Sequence, residues 1–273
     1  MTFIHKINNI QKENNSLLCI GLDTDVRKIP TSIRRTKNSQ LEFNKKIIDA
    51  TKDLVCAYKL NLAFYESAGE RGYETIHKTL EGIQNNIVTI ADGKRGDIGN
   101  TAEQYAKLIY DDWKFDATTV NPYMGKDSIE PFIKDEKHCA FLLALTSNPG
   151  SKDFQYLDVK GRPLYEHVAA KATRWNTKKN IGLVVGATHP LELKRIRSMA
   201  PGMPLLIPGI GAQQGDLEKT ICYGCNKGGG LVLINISRGV IYASSGKDFA
   251  RRAREEATKI KDQINYFRKE YFG

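Results

Sequence analysis

Residues 87–106 read IVTIADGKRGDIGNTAEQYA. The first part, residues 87–94, is rich in apolar and β-branched residues and ends in charged ones, which is typical of a buried strand whose carboxyl end reaches the surface. The spacing of residues 101–113, TAEQYAKLIYDDW, predicts a helix that Asn100 or Thr101 can cap. A buried strand, a charged break and a helix form one β/α unit, so this stretch predicts an α/β fold.

The same alternation recurs along the chain. The predicted strands are LLCIGLD (17–23), VCAYKLN (55–61), IVTIADGK (87–94), ATTVNP (117–122), CAFLLALTS (139–147), IGLVVGAT (181–188), PLLIPGIG (204–211) and LVLINIS (231–237). Helices are expected between them, including QLEFNKKIIDATKD, PLELKRIRSM and the C-terminal KDFARRAREEATKIKDQINYF. Eight such units and a length of 273 residues predict a (β/α)8 TIM barrel that forms a single domain over residues 1–273.

An open doubly wound sheet is the alternative fold. It would require a glycine-rich dinucleotide turn after the first strand, where this chain has GLDTD (21–25). Residues 24–40 and 148–163 form the longest connections, after the first and fifth strands. Both are expected at the carboxyl end of the barrel, where barrel enzymes carry out their chemistry.

The chain carries a formal charge of +10, which suits nucleic acid, an anionic membrane or small anions. Its basic residues alternate with acidic ones, as in RRAREEATKIKDQ (251–263), so neither a nucleic-acid partner nor a membrane partner is expected. No apolar run is long enough to span a bilayer. The N-terminal residues MTFIHKINNIQKENN predict a short amphipathic helix rather than a secretory signal, and we expect a cytoplasmic protein.

The chain has five cysteines, an odd number that argues against a disulfide framework and for a reducing compartment. Cys222 and Cys225 form a CxxC pair, which could hold zinc or act in redox chemistry. A zinc site needs four ligands, and no second CxxC or pair of histidines supplies them. We therefore interpret the two cysteines as positions on one helix face and expect no metal site.

Polar residues stand at or near the carboxyl ends of several predicted strands. They are Asp23, Lys59, Asp92, Lys94, Asn121, Ser147, Thr188 and Arg238. A structural role alone does not require polar residues at so many strand ends. The pattern predicts a cluster of charged and polar groups around the barrel mouth.

The densest group is DxKxxD at residues 92–97. Side chains two apart in a strand share a face, so Asp92 and Lys94 project to the same space, and Lys59 on the adjacent strand can reach Asp92. Asp97 completes an alternating Lys-Asp-Lys-Asp set. A loop salt-bridge network is the alternative, but buried ion networks seldom stabilise a fold more than apolar packing does. Their position at the barrel mouth favours catalysis.

Two glycine-containing segments follow strands seven and eight, IPGIGAQQGD (207–216) and NISRGVIYAS (235–244). Many barrels bind phosphate at this place through backbone N–H groups. Plain turns and a surface arginine are the alternative interpretation. The residues expected to contact the anion are Gly209, Gly211, Gln213 and Arg238.

With these motifs in place, the chain resembles the orotidine 5′-phosphate decarboxylase family. The matching segments, in the family's order, are GLD (21–23), YKLN (58–61), DGKRGDIGNT (92–101), TSNPG (146–150), PGIGAQ (208–213) and SRG (237–239). The long fifth connection resembles the larger-chain branch of that family. The resemblance implies the last step of de novo UMP synthesis, the cofactor-free decarboxylation of orotidine 5′-monophosphate (OMP) to uridine 5′-monophosphate (UMP).

The resemblance also implies that the enzyme is a homodimer. Lys59, Asp92 and Lys94 would line one active site, with Lys94 as the proton donor, while Asp97 and Thr101 would belong to the site of the neighbouring subunit.

The resemblance assigns substrate contacts as well. Asp23 and Lys59 would contact the ribose hydroxyls, Ser147 the pyrimidine, and Gln213 and Arg238 the phosphate. Some relatives have glycine where this chain has Ser237, which would contribute a backbone N–H.

Two other functions remain open from the sequence. A 3-keto-gulonate-phosphate decarboxylase or hexulose-phosphate synthase shares DxK but uses magnesium, and the lysine of YKLN and the TSNPG loop argue against it. In a non-catalytic nucleotide-binding barrel, the Lys-Asp-Lys-Asp set would have no function.

Overall fold

The structure, a computed structural model, describes residues 1–210 and 215–273, and within them eight parallel strands close into a barrel. The strands are β1 (Leu18–Gly21), β2 (Ala57–Asn61), β3 (Val88–Arg95), β4 (Ala117–Val120), β5 (Cys139–Leu145), β6 (Ile181–Val185), β7 (Leu205–Pro208) and β8 (Val232–Ile236). Each strand pairs with the next, and β8 pairs with β1. Every predicted strand overlaps one of these, and the predicted fold class is confirmed.

Helices surround the barrel. Those of eight or more residues are α1 (Phe3–Glu13), α2 (Ser39–Thr51), α3 (Glu70–Glu81), α4 (Gly99–Lys107), α5 (Leu164–Trp175), α6 (Pro190–Met199), α7 (Leu217–Gly224) and α8 (Phe249–Phe272). Shorter helical segments are Val26–Lys28, Thr31–Arg34, Ala63–Glu66, Leu108–Asp112, Pro122–Met124, Lys126–Ile129, Glu130–Ile133, Pro149–Asp153 and Arg238–Ile241. The long fifth connection also holds a two-stranded hairpin, Asp158–Val159 with Arg162–Pro163.

Two local predictions were wrong. The fourth unit has no long helix, because Gly125 takes a φ of +100° and Pro131 lacks an N–H, so the connection from β4 to β5 is a series of short helical segments. Helix α4 begins at Gly99 and its N-cap is Ile98, so Asn100 and Thr101 lie in the first turn as exposed residues and do not cap it.

Helix α1 closes the amino end of the barrel. Its apolar face buries Phe3, Ile7 and Ile10, at the helical spacing that the sequence predicts. The amide of Gln11 donates to the carbonyl oxygen of Val232 at 2.7 Å. Because α1 covers the amino end of the barrel, a site is expected at the opposite, carboxyl end.

The C-terminal helix α8 is long and amphipathic. It buries Phe249, Ala253, Ala257, Ile260 and Ile264, and its outer face is charged, as predicted. Across residues 1–210 and 215–273, no helix has both the length and the apolar character needed to cross a membrane.

Candidate active site

A cavity of about 440 Å³ opens at the carboxyl end of the barrel. Side chains or backbone from several strand ends line it, as the pattern of polar strand ends predicts. The predicted site residues on its wall are Asp23, Lys59, Asp92, Lys94, Ser147, Gly209, Ser237 and Arg238. Lys94 and Arg238 therefore face one common space.

Four charged side chains in this cavity alternate in sign. The Nζ of Lys59 lies 2.7 Å from Oδ2 of Asp92 and 3.6 Å from Oδ1 of Asp23. The Nζ of Lys94 lies 2.7 Å from the other carboxylate oxygen of Asp92. The sequence of charges is Asp23, Lys59, Asp92, Lys94, which we call the charged array.

Burial and the neighbouring charges shift the pKa of Asp92 in opposite directions. Burial by itself raises the pKa of this carboxyl, but the ammonium groups of Lys59 and Lys94 outweigh it and hold the pKa well below 3.8. At Lys59, burial lowers the pKa, but Asp92 and Asp23 outweigh burial and raise it above 10.5. Both groups are therefore charged throughout the neutral pH range.

Lys94 has an unusual backbone conformation for a non-glycine residue, with a φ of +48°. Such left-handed residues cost roughly 1–3 kcal/mol and persist where surrounding contacts enforce them. The register between β3 and β4 shifts between Ala91 and Arg95, which is a bulge in β3. Bulges re-aim side chains next to active sites. Here the bulge brings Asp92 and Lys94 into contact at the cavity wall.

Asp97 and Thr101 do not line the cavity of their own chain. The carboxylate of Asp97 is partly exposed and accepts a hydrogen bond from the backbone N–H of Ile98 at 2.8 Å. Thr101 is exposed in the first turn of α4. Within one chain the second carboxylate of the array is Asp23, and the Lys-Asp-Lys-Asp set that the sequence suggests is not assembled.

The β8 end of the cavity is formed by Ser237, Arg238 and the facing Gly209. Gly209 has a φ of +107°, a conformation that favours glycine. Ser237 fits because residue 21 is glycine: a Cβ on Gly21 would lie only 1.9 Å from the Ser237 Oγ. The predicted anion contacts Gly211 and Gln213 lie outside the described residues.

The start of the long fifth connection forms another wall, with Thr146, Ser147 and Asn148. The side chain of Gln155 fixes this wall, since its Oε1 accepts from the Thr146 backbone N–H at 2.8 Å and its Nε2 donates to the Thr146 Oγ1 at 2.9 Å. The connection is therefore tied to the strand end that carries Ser147.

Some cavity residues were missed from the sequence. Asn61 could have been found, because it stands two residues after Lys59 in the same strand. No signal distinguished Thr119 from its neighbour Thr118. Two of the predicted strand-end residues, Asn121 and Thr188, do not line the cavity.

The CxxC pair does not lie on one helix face, because α7 ends at Gly224 and Cys225 follows it in an extended conformation. Cys222 is partly exposed and Cys225 is buried. Among the residues described, no group of three histidine, cysteine or acidic side chains is arranged to hold a metal ion.

The sequence matches the model of the orotidine 5′-phosphate decarboxylase / HUMPS family over residues 16–253. The orotidine 5′-phosphate decarboxylase of Dehalococcoides mccartyi is 50% identical over 275 residues, which cover 99% of this chain and 100% of that protein. The OMP decarboxylase of Leishmania donovani superposes with a TM-score of 0.85 at 37% identity, covering 98% of this chain and 99% of that one. The UMP synthase of the same organism gives a TM-score of 0.87 at 38% identity, and this chain spans 57% of its length.

Proposed function

This chain belongs to the orotidine 5′-phosphate decarboxylase / HUMPS family, and we propose that its barrel-mouth cavity decarboxylates OMP to UMP. The enzyme is a carbon–carbon lyase of pyrimidine biosynthesis. The observation that carries the proposal is the ion pair of Lys94 with Asp92, in the same cavity as Arg238. The reaction needs an ammonium group beside the reacting carbon and a cationic group that binds the phosphate. Lys94 and Arg238 supply these two groups in one cavity.

The reaction breaks the bond between the pyrimidine ring and its carboxylate. Carbon dioxide leaves, and the electron pair stays on a ring carbon that has no nearby electron sink. An ammonium group beside that carbon stabilises the developing charge and can donate the proton that replaces the carboxylate. Lys94 is this donor, and its side chain, 48% exposed, can recover a proton from solvent.

Asp92 has two effects in this mechanism. Its carboxylate keeps Lys59 and Lys94 charged and oriented through two short ion pairs. It also stands near the departing carboxylate, and two like charges about 4 Å apart repel by roughly 4 kcal/mol at an effective dielectric near 20. That repulsion is relieved when carbon dioxide leaves.

The remaining residues of the cavity bind the nucleotide. Asp23 and Lys59 hydrogen-bond the ribose hydroxyls, and Ser147 hydrogen-bonds the pyrimidine. Arg238 and the backbone N–H of Ser237 hold the phosphate, and a guanidinium suits this task because it forms paired, charge-assisted hydrogen bonds. The phosphate lies far from the bond that breaks, so its binding energy orients the reacting ring.

Gly209 allows the backbone to approach the phosphate closely, as its positive φ permits. Gly211 and Gln213 complete the phosphate contacts in this proposal.

We further propose that the enzyme is a homodimer in which Asp97 and Thr101 enter the partner's site. Exposed apolar side chains lie beside this segment: Ile98 is 56% exposed, and Met124, which is 43% exposed, has its Cε 3.5 Å from where a Cβ on Gly96 would be. Such surface is typical of a contact with another chain. The carboxylate of Asp97 would then add a second acid beside the partner subunit's Lys94.

The dimer is tested by light scattering after size exclusion. Ile98→Asp should shift the protein to the monomer mass, since it places a charge in the contact. Leu191→Asp is the matched control, because Leu191 is an apolar residue that is 67% exposed on α6, away from Asp97. A wild-type monomer, or an unchanged mass for Ile98→Asp, would refute this arrangement.

We also propose a cytoplasmic location. All five cysteines lie in the described residues and are free thiols, as suits a reducing compartment.

The function is tested by following the loss of OMP absorbance with purified protein, with UMP and carbon dioxide measured as products. Excess chelator in a parallel reaction distinguishes the magnesium-dependent relatives. We expect one UMP and one carbon dioxide for each OMP, at a rate that the chelator does not change. An absence of turnover would refute the proposal, and turnover that the chelator abolishes would refute its metal-free form.

A further inference from the structure

We infer that Thr119 is a positioning residue for Lys94. It holds both the left-handed backbone of Lys94 and the carboxylate oxygen to which the Lys94 ammonium is bonded. This inference rests on the proposed function, since Lys94 is the proton donor in it.

Thr119 belongs to a closed ring of hydrogen bonds. The backbone N–H of Lys94 donates to Thr119 Oγ1 at 2.9 Å, and that hydroxyl donates to Asp92 Oδ1 at 2.9 Å. The ring closes where Lys94 Nζ donates to the same Oδ1 at 2.7 Å. Thr119 is 1% exposed, so water does not compete for these bonds. One buried hydroxyl therefore holds the backbone of Lys94 directly and its ammonium group through Asp92.

The bulge in β3 explains why a side chain is needed here. Ala91 pairs with Thr118, and the next pair is Arg95 with Val120. The segment of β3 between the two pairs is therefore longer than the segment of β4 that faces it. The N–H of Lys94 consequently bonds to a side chain rather than to a strand carbonyl. A buried N–H without a partner is costly, and a left-handed residue persists only when its surroundings enforce it. The Thr119 hydroxyl meets both requirements.

The adjacent Thr118 provides a matched control. It is fully buried, and its hydroxyl donates to the carbonyl oxygen of Ala91 at 2.9 Å. It thus links β4 to β3 as Thr119 does, but the hydrogen bonds of its hydroxyl go to backbone oxygens and not to Asp92 or Lys94, and it does not line the cavity. Removing either hydroxyl deletes a buried hydrogen bond between the same two strands. A merely structural role would give both variants similar effects.

The expected effect is a fall in kcat with little change in KM. Without the hydroxyl, Lys94 is released from its fixed conformation and its ammonium moves from the reacting carbon. A displacement of about 1 Å can cost on the order of a hundredfold in rate. The phosphate and pyrimidine contacts of Arg238 and Ser147 stay in place, so the affinity for the nucleotide is kept.

The experiment measures kcat, KM for OMP and the melting temperature of the wild type, Thr119→Val, Thr119→Ser and Thr118→Val. We expect Thr119→Val to lower kcat by at least about tenfold while KM stays within about twofold. Thr119→Ser keeps the hydroxyl and should stay within about threefold of the wild-type kcat. Thr118→Val should melt at a lower temperature with an unchanged kcat. If Thr119→Val does not fold, Thr119→Ala replaces it.

Three results would overturn the inference: a wild-type kcat for Thr119→Val, an equal loss of kcat for Thr118→Val, or a loss for Thr119→Ser as large as that for the valine variant. A wild-type protein that does not decarboxylate OMP would overturn the proposed function, and this inference with it. An active wild type with an unaffected Thr119→Val would overturn the Thr119 role alone.

Discussion

The ammonium of Lys94 lies 2.7 Å from a carboxylate oxygen of Asp92, and one residue separates the two in β3. The contact coincides with the bulge in β3 and with the left-handed backbone of Lys94. The proton donation proposed for Lys94 depends on this ion pair.

Replacing Lys94 by alanine should abolish turnover and leave nucleotide binding measurable. General acid catalysis by a positioned group contributes roughly 10²–10⁴-fold in rate, and electrostatic stabilisation adds to it. Initial rates with OMP and calorimetric binding of UMP check the two halves of this prediction. More than about one percent of the wild-type rate would contradict the proton-donor role.

Lys179→Ala is the control for that variant. Lys179 is an exposed lysine with a similar left-handed backbone, at a φ of +57°, and it does not line the cavity. Its loss should leave kcat unchanged.

Replacing Arg238 by alanine should mainly weaken binding of the phosphorylated substrate. Losing charge-assisted hydrogen bonds should raise KM for OMP roughly ten- to a hundredfold. The nucleoside orotidine, which lacks the phosphate, should be turned over equally slowly by the variant and the wild type. An unchanged KM for OMP would show that Arg238 does not hold the phosphate.

Asp92→Asn should lower the free energy of unfolding at pH 7 by about 3–5 kcal/mol, because it leaves Lys59, 4% exposed, without its closest counter-charge. The pKa of Asp92 is below 3.8 in the folded state, so its contribution is complete above the unfolded pKa and is lost as the pH falls through the folded pKa. The difference in unfolding free energy between wild type and variant should therefore be constant above about pH 5 and become smaller below about pH 4.

Urea unfolding of both proteins at several pH values measures that difference. Asp127→Asn, at an exposed carboxylate, serves as the control and should change the unfolding free energy at pH 7 little. A difference that widens on acidification would have the wrong sign for a carboxylate with a lowered pKa.

Arg197 should matter for stability and not for catalysis. It is 8% exposed, and burial lowers its pKa to about 10, which still leaves it charged at pH 7. Its guanidinium donates to four backbone carbonyl oxygens, those of Ala200, Met203, Gly224 and Leu231. Arg197→Met would remove these four buried hydrogen bonds, although the oxygens of Ala200 and Leu231 also accept a backbone N–H, and it should cost about 3 kcal/mol of unfolding free energy.

Lys194→Met is the matched control on the same helix, since Lys194 is an exposed cation. It should change the stability little. Equal losses for Arg197→Met and Lys194→Met, measured by urea unfolding, would contradict the role assigned to Arg197.

The sequence was sufficient to predict the barrel, because each parallel strand is a continuous apolar run and the runs recur between helical stretches. It was also sufficient to bring Lys59, Asp92 and Lys94 to one region, since strand periodicity is a local property. The fourth unit departs from the repeat because Gly125 and Pro131 interrupt the helix locally.

Thr119 could not be distinguished from Thr118, because the bulge that selects it depends on how β3 pairs with β4. The role proposed for Asp97 requires a second chain, which no single sequence pattern describes. In both cases the missing information lies in pairing between segments and not in local composition.

The central claim is that each site combines Lys94 of one chain with Asp97 of another. Lys94→Ala and Asp97→Ala should each be inactive as homodimers, whereas a hybrid of the two, co-expressed with different tags and purified through both, contains one intact site. OMP turnover by that hybrid tests the claim most directly. About half of the wild-type activity per dimer is the predicted result, and a hybrid no more active than its parents would contradict it.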